Sequence, residues 1–239
     1  MGDRISFMKQ MIISISKYCS CLHFHSKSMR EFIGILYRNI VRPTLFCIPA
    51  DIVHEFFLKS GRVIGKIGIA KRLLRIMLRY ENPILEQSYF NLHFKNPIGL
   101  SAGFDYNADL VRILSHIGFG FHTVGTLTLG AYGGNPPPLL GRLPQSRSLL
   151  VNKGFKNEGI VKVLKSMDTE AHEAPRGVSI GATNTPYLDF DAMMDNLIAG
   201  FQEAERFDNF DYYELNISCP NLLNIQNLKL QLASPEGLG

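Results

Sequence analysis

The sequence predicts an α/β fold, namely about the first half of a (β/α)8 TIM barrel behind an N-terminal helical extension. Three observations predict it. After residue 86, strand-like and helix-like segments alternate with short connections, the grammar of a parallel sheet covered by helices. Small and polar residues collect at the C-terminal ends of successive strands, which is how a barrel assembles one ligand site from several loops. No G-x-G-x-x-G follows the first strand, which disfavours a Rossmann dinucleotide site, the doubly wound alternative that fits the same alternation. Length supplies the qualifier, because about 90 of the 239 residues precede the barrel and leave about 150 for a fold that typically needs about 250. A truncated or frame-shifted product is expected, with residues 228–239 as an arbitrary tail.

With 46% hydrophobic and 19% charged residues, the chain is neither disordered nor wholly membrane-embedded. No uncharged apolar run reaches the roughly 18 residues that would argue for a spanning helix. Charge is divided unevenly: residues 1–80 hold 14 Lys/Arg against 4 Asp/Glu, leaving 11 against 17 for the rest. Cysteines at 19, 21, 47 and 219 form no regular disulfide framework, which points to a reducing compartment. Residues 1–35 read as a targeting or disordered segment, since residues 1–30 set one acid, Asp3, against Arg4, Lys9, Lys17, Lys27 and Arg30; translation starting at Met29 is the blander alternative. Cys19, Cys21, His23 and His25 alternate without the two-residue gap usual between zinc-binding cysteines, so no metal site is expected.

Residues 36–85 read as a basic amphipathic helical region. Leu73, Leu74, Ile76 and Met77 make an apolar stripe between Lys71, Arg72, Arg75 and Arg79, and Phe56, Phe57 and Leu58 follow Ile52 and Val53 by one turn. Pro43 and Gly61 punctuate the region into short helices. Helices of this kind either dock on the body of a protein or lie on an anionic membrane surface. Residues 86–239 then supply the half-barrel. A small hairpin is expected at Ser88–Phe94, a buried strand at Pro97–Ala102, a helix at Asp109–Gly118 and a strand at Thr123–Thr126. A Gly/Pro-rich loop spans Thr128–Pro144. There follow a helix at Glu158–Met167, a strand at Val178–Ala182, a helix at Phe190–Ala204 and a buried strand from Tyr212 to Ile217, which Pro220 ends.

The unusual residues fall at the strand ends: Ser101 to Asp105 after the first, Gly125 and Thr126 on the second, Ser179 and Gly181 in the third, Asn216 to Asn221 after the fourth. Cys219 at such a mouth, between two carboxamides, reads as a site; the competing reading is a buried, inert cysteine. Further segments stand in order along the chain: Leu36, Tyr37 and Arg38 with Arg42 and Pro43; Asn96 to Asp105 (NPIGLSAGFD); Gly118, Phe119 and Gly120 with Gly125 and Thr126; Gly134, Asn135, Pro136 and Pro138; Arg142, Leu143 and Pro144; Gly154, Phe155, Asn157 and Gly159; and NISCPN at Asn216 to Asn221. Together they resemble the dihydroorotate dehydrogenase family, in particular its membrane-associated, quinone-using branch.

The resemblance implies an FMN enzyme that oxidises dihydroorotate to orotate in de novo pyrimidine synthesis. A base takes a proton from C5, a hydride leaves C6 for the flavin, and the electrons pass on to a quinone. It also implies that the N-terminal helices form the quinone entrance at a membrane surface, on the cytoplasmic side of a bacterial membrane or at the mitochondrial inner membrane. That favours the membrane reading of residues 36–80 over the docking one. No nucleic-acid partner is expected. Cys219 falls on the catalytic base, where the quinone-using branch usually has serine and the soluble branch cysteine; a free thiol ionises at about 8.5, nearer operating pH than a hydroxyl.

The implied flavin contacts are Ser101, Ala102, Gly103, Thr126, Asn216 and Ser179, the last standing where an asparagine is usual. The implied substrate contacts are Asn152, Phe155, Asn216 and Asn221. Several positions depart from the family pattern. Tyr106 replaces the lysine after Gly-Phe-Asp, losing a charge-assisted hydrogen bond. The usual substrate asparagine lands on Val151, with Asn152 one position late and Lys153 a possible replacement cation. Ala182 or Thr183 replaces a further lysine. Two alternatives therefore accompany the enzyme reading: an inactive remnant that keeps a membrane-surface module, and another FMN barrel with a different substrate.

Overall fold

The computed structural model describes residues 28–167 and 172–223. Helix α1 covers residues 28–46, and its ladder widens to a π turn at Tyr37–Val41 just ahead of Pro43, which has no N–H for the preceding turn. Helices α2 (Ala50–Ile64) and α3 (Gly68–Leu78) follow. One face of α2 buries His54, Leu58 and Gly61 over a cluster of Tyr106, Leu110, Ile113 and Leu114. Gly61 is required there because a Cβ would run into the Leu110 side chain. The other face leaves Ile52, Phe56 and Val63 at about 60% exposure, and α3 exposes Ile69, Leu73 and Ile76 in the same way.

Ion pairs tie α3 to the body. Glu173 accepts from Arg75 at 2.8 Å and from the buried Arg79 at 2.7 Å, and these guanidinium groups, Arg79 first, hold its carboxyl down at about 2.

Strands β1 (Gln87–Tyr89) and β2 (Leu92–Phe94) form the expected hairpin, turning through Phe90 and Asn91, both at positive φ. The main sheet contains β3 (Gly99–Leu100) and β4 (Phe121–Leu127). The hairpin β5 (Leu140–Leu143) and β6 (Ser148–Val151) and helix α4 (Ile160–Ser166) come next, before β7 (Arg176–Ile180), helix α5 (Phe190–Glu205) and β8 (Tyr212–Leu215). Asp189 caps α5 by accepting from the Ala192 N–H at 2.8 Å. The sheet order is β3-β4-β7-β8, every pair parallel.

Alternation sorts its two faces. Val124, Leu127, Val178 and Ile180 are fully buried against Ile160, Val163 and Leu164 of α4 and Leu197 and Ala204 of α5. The opposite face carries Thr123, Gly177 and Tyr212 in one row, with Thr126 and Ser179 nearer the C-terminal rim. Both crossover helices share one face. That is barrel packing, since a doubly wound sheet is covered on both sides.

Four local expectations are corrected. Residues 109–118 are turns rather than a helix. The buried Asp105 carboxyl, pushed up to about 7 by burial, takes the N–H groups of Asp109 (2.7 Å) and Leu110 (2.9 Å), and the bonds that follow mix three- and four-residue spacings. The strand expected at Pro97–Ala102 keeps only two half-buried residues. Residues 128–144 are not loop throughout, because Leu140–Leu143 pairs with Ser148–Val151. Finally, β8 stops at Leu215 and is largely exposed, being one of the two edge strands of the sheet among the described residues.

Candidate active site

The C-terminal ends of β4, β7 and β8 meet in a chain of polar groups. The Asn216 Nδ2 donates to Thr126 Oγ1 at 2.7 Å, and Thr126 Oγ1 lies 3.0 Å from Ser179 Oγ. An amide nitrogen has only protons to give, so the Thr126 hydroxyl accepts from it and its own proton is free for Ser179. Both hydroxyls are buried while Asn216 is half-exposed. The N–H of Gly103 donates to Gly125 O at 2.6 Å, and the Gly125 N–H to Asp105 O at 2.9 Å, drawing the loop after β3 against the end of β4. Gly103 has φ +102°, and open space lies where a Cβ would be; a side chain is excluded by backbone conformation rather than crowding. Ser101 is exposed and stands outside the polar chain.

A second cluster centres on Asn135. Its Nδ2 donates to Asn152 Oδ1 (2.9 Å) and to the backbone oxygen of Asn221 (3.0 Å), while its Oδ1 receives Tyr132 OH (2.5 Å) and Asn184 Nδ2 (3.3 Å). Asn221 in turn donates to Val151 O at 2.9 Å. Asn152 and Asn221, 69 positions apart in sequence, are thus brought together by Asn135, which in the sequence is simply the middle of a Gly-Asn-Pro run. Phe155 is buried at φ +66°, an uncommon conformation for a bulky residue, with its ring where a Gly181 side chain would stand. Cys219 lies beyond β8 between these clusters in sequence, half-buried and outside any disulfide.

Between α1, α2 and the loop after β3 lies a cavity of ≈ 720 Å³. Tyr37, Phe46 and Phe57 line it on the helical side, Ala102 and Gly103 on the sheet side, and Leu149 and Val151 of β6 close it. His54 sits on its wall with Nε2 2.9 Å from Phe104 O and Nδ1 3.1 Å from Lys153 Nζ. The carbonyl can only accept, so Nε2 carries the proton and Nδ1 accepts from the Lys153 ammonium. Burial, then the Lys153 charge, lowers the His54 pKa in keeping with a neutral ring, and burial brings Lys153 down to about 8. Tyr106 is buried in the cluster beneath α2. Its ring lies under Lys153 Nζ (4.5 Å) and its hydroxyl donates to Glu55 of α2. Among the described residues no group of three or more His, Cys, Asp or Glu could hold a metal; the Cys19 to His25 run lies outside them.

The sequence model of the family described as "Dihydroorotate dehydrogenase" matches residues 84–233. Curated relatives include a dihydroorotate dehydrogenase (quinone) from Roseiflexus sp. (strain RS-1), 35% identical over 79% of this chain and 52% of its own length. Another from Helicobacter acinonychis (strain Sheeba) is 33% identical over 80% of this chain and 54% of its own. Among solved structures, the Eimeria tenella enzyme crystallised with ferulenol superposes with a TM-score of 0.62 at 25% identity, over 83% of this chain and 50% of that one. The chain spans about half the length of the curated relatives it matches. Its parallel sheet and helices are accordingly part of a (β/α)8 barrel. The chain belongs to the dihydroorotate dehydrogenase family.

Proposed function

We propose that this chain carries the N-terminal part of an FMN-dependent enzyme that oxidises dihydroorotate to orotate in de novo pyrimidine synthesis and delivers the electrons to a quinone. The observation that carries the reading is the cavity, which leads from the exposed apolar helices to Ala102 and Gly103 at the rim of the sheet. A greasy acceptor can travel that path without crossing water.

The residues at the rim fit a flat, polar-edged ring. Ala102 and Gly103 offer backbone with almost no side chain, and the Asn216–Thr126–Ser179 chain offers both donors and acceptors. Bound FMN supplies the hydride acceptor that no amino-acid side chain provides. On the substrate side, Cys219 takes the C5 proton, Asn152 and Asn221 orient the pyrimidine edge through the Asn135 cluster, and the buried Phe155 ring helps exclude water. Ser101 at the end of β3 lines the flavin side.

The helical face lies on a membrane. Ile52, Phe56, Ile69, Leu73 and Ile76 enter the apolar layer, and no helix among the described residues is long and apolar enough to cross it. A cleft of ≈ 870 Å³ beside α1, lined by Arg42, Arg142 and Arg147 with Phe46, Leu143 and Leu149, suits anionic head groups at that level. The membrane faces the cytoplasm of a bacterium or is the mitochondrial inner membrane.

The test is flavin chemistry on the purified chain. FMN should bind stoichiometrically and bleach when dihydroorotate is added without oxygen. Cys219→Ala should keep the flavin and lose bleaching by about a hundredfold or more, while Cys219→Ser retains a slower, more alkaline reaction. Absence of both flavin binding and bleaching would leave the chain as a remnant. Bleaching by another reduced pyrimidine in preference to dihydroorotate would point to the altered substrate set at Tyr106 and Val151.

A further inference from the structure

Lys153 is a buried titratable group that the reaction above does not use. The residue lies on the wall of the ≈ 720 Å³ cavity and retains only 9% exposure, and its ammonium is held from two sides. The Tyr106 ring lies under it at 4.5 Å, and the neutral Nδ1 of His54 accepts one of its protons at 3.1 Å. Neither partner neutralises it. Glu55 faces the same neighbourhood from α2, but its carboxylate is already engaged by Tyr106 OH and, at 3.0 Å, by Lys156 Nζ. Asp51 lies farther along α2 and accepts from the Leu140 N–H at 3.3 Å. An ammonium without a carboxylate of its own, inside an apolar passage, is a costly arrangement unless a ligand completes it. Two of its three protons remain for one.

We propose that Lys153 is the head-group anchor of the cavity, selecting a quinone-like ligand that presents an oxyanion or a charge-accepting carbonyl to the ammonium while its tail lies among Tyr37, Phe46 and Phe57. His54 is a positioning residue: bonded to Phe104 O on one side, it fixes where the ammonium points. The inference rests on the reading of the cavity as the acceptor's passage. Arg42 and Arg142 are the competing cations, since both also line the cavity, although the Arg142 guanidinium is engaged over the Phe46 ring at 4.7 Å.

The experiment is calorimetric binding of two probes to the full chain: an octyl-substituted hydroxynaphthoquinone, an enolate near neutral pH, and its uncharged methyl ether. The wild type should bind the enolate at least about tenfold more tightly, Lys153→Met should abolish that preference, and Lys153→Arg should restore most of it. Arg42→Met and Arg142→Met should each leave the preference in place. The preference should also fade as pH rises past the Lys153 value of about 8, because the probe stays anionic while the ammonium is lost. A preference that survives Lys153→Met, or disappears in either arginine variant alone, overturns the assignment. Equal binding of both probes to the wild type overturns it while leaving the passage intact. Binding of neither removes the passage and the anchor together. Melting curves of the variants separate these outcomes from loss of fold.

Discussion

The sheet and the N-terminal helices treat apolar residues in opposite ways. Val124, Leu127, Val178 and Ile180 have no exposed surface, closed in by α4 and α5. On α2 and α3, Ile52, Phe56, Ile69, Leu73 and Ile76 stay outside, although the buried His54, Leu58 and Gly61 dock α2 firmly. An amphipathic helix normally spends its one apolar face on the core; α2 has a second, exposed one, which in the proposed function meets the membrane. The contrast separates residues that hold the fold from residues that place it.

The largest expected effect lies in the sheet. Ile180→Ala should cost about 2–4 kcal/mol in denaturant unfolding, since a fully buried side chain is removed from a rigid surround. Next comes His122 on β4, buried with both ring nitrogens unbonded among the described residues; burial, then Arg176, lowers its pKa to about 3. A folded pKa below the unfolded value of about 6.5 means the neutral ring's contribution is present above that pH and is lost as pH falls toward 3. His122→Leu should flatten that acid slope in melts taken across the window.

On the helices the pattern should invert. Combined Ile69→Ser, Leu73→Ser and Ile76→Ser should change unfolding by less than about 0.5 kcal/mol per site, yet lower co-sedimentation with anionic vesicles at least about tenfold. Smallest is Glu173→Gln, which weakens the tie between α3 and the body. Its carboxylate is partly exposed, so solvent screening limits the loss to about 1 kcal/mol. Because its folded pKa is depressed to about 2, that contribution is complete above about pH 4.5 and disappears as pH falls toward 2.

Much of this was legible in the residues. Strands β4 and β7 and helix α5 announce themselves by period and by the Asp189 cap, and the β1–β2 hairpin by its turn. The turns at 109–118 were not, because their apolar spacing is helical while the Asp105 side chain removes the N–H groups a first helical turn would need. The β5–β6 hairpin hid in a Gly/Pro-rich stretch, although Leu149, Leu150 and Val151 after a Pro-Gln-Ser-Arg turn were its signal. At the site, the types of Asn152, Asn216 and Asn221 were informative. The roles of Asn135, Asn184 and His54 depend on partners 17 to 99 positions away, which no local pattern reports.

Spin labels at positions 56, 69 and 198, in protein whose cysteines are replaced by serine, would locate the boundary between the two regions in the presence of anionic vesicles. Positions 56 and 69 should become accessible to dissolved oxygen and shielded from a water-soluble nickel chelate, while position 198, exposed on α5, stays open to the chelate. Equal access of the chelate to all three positions would contradict a membrane-facing helical surface.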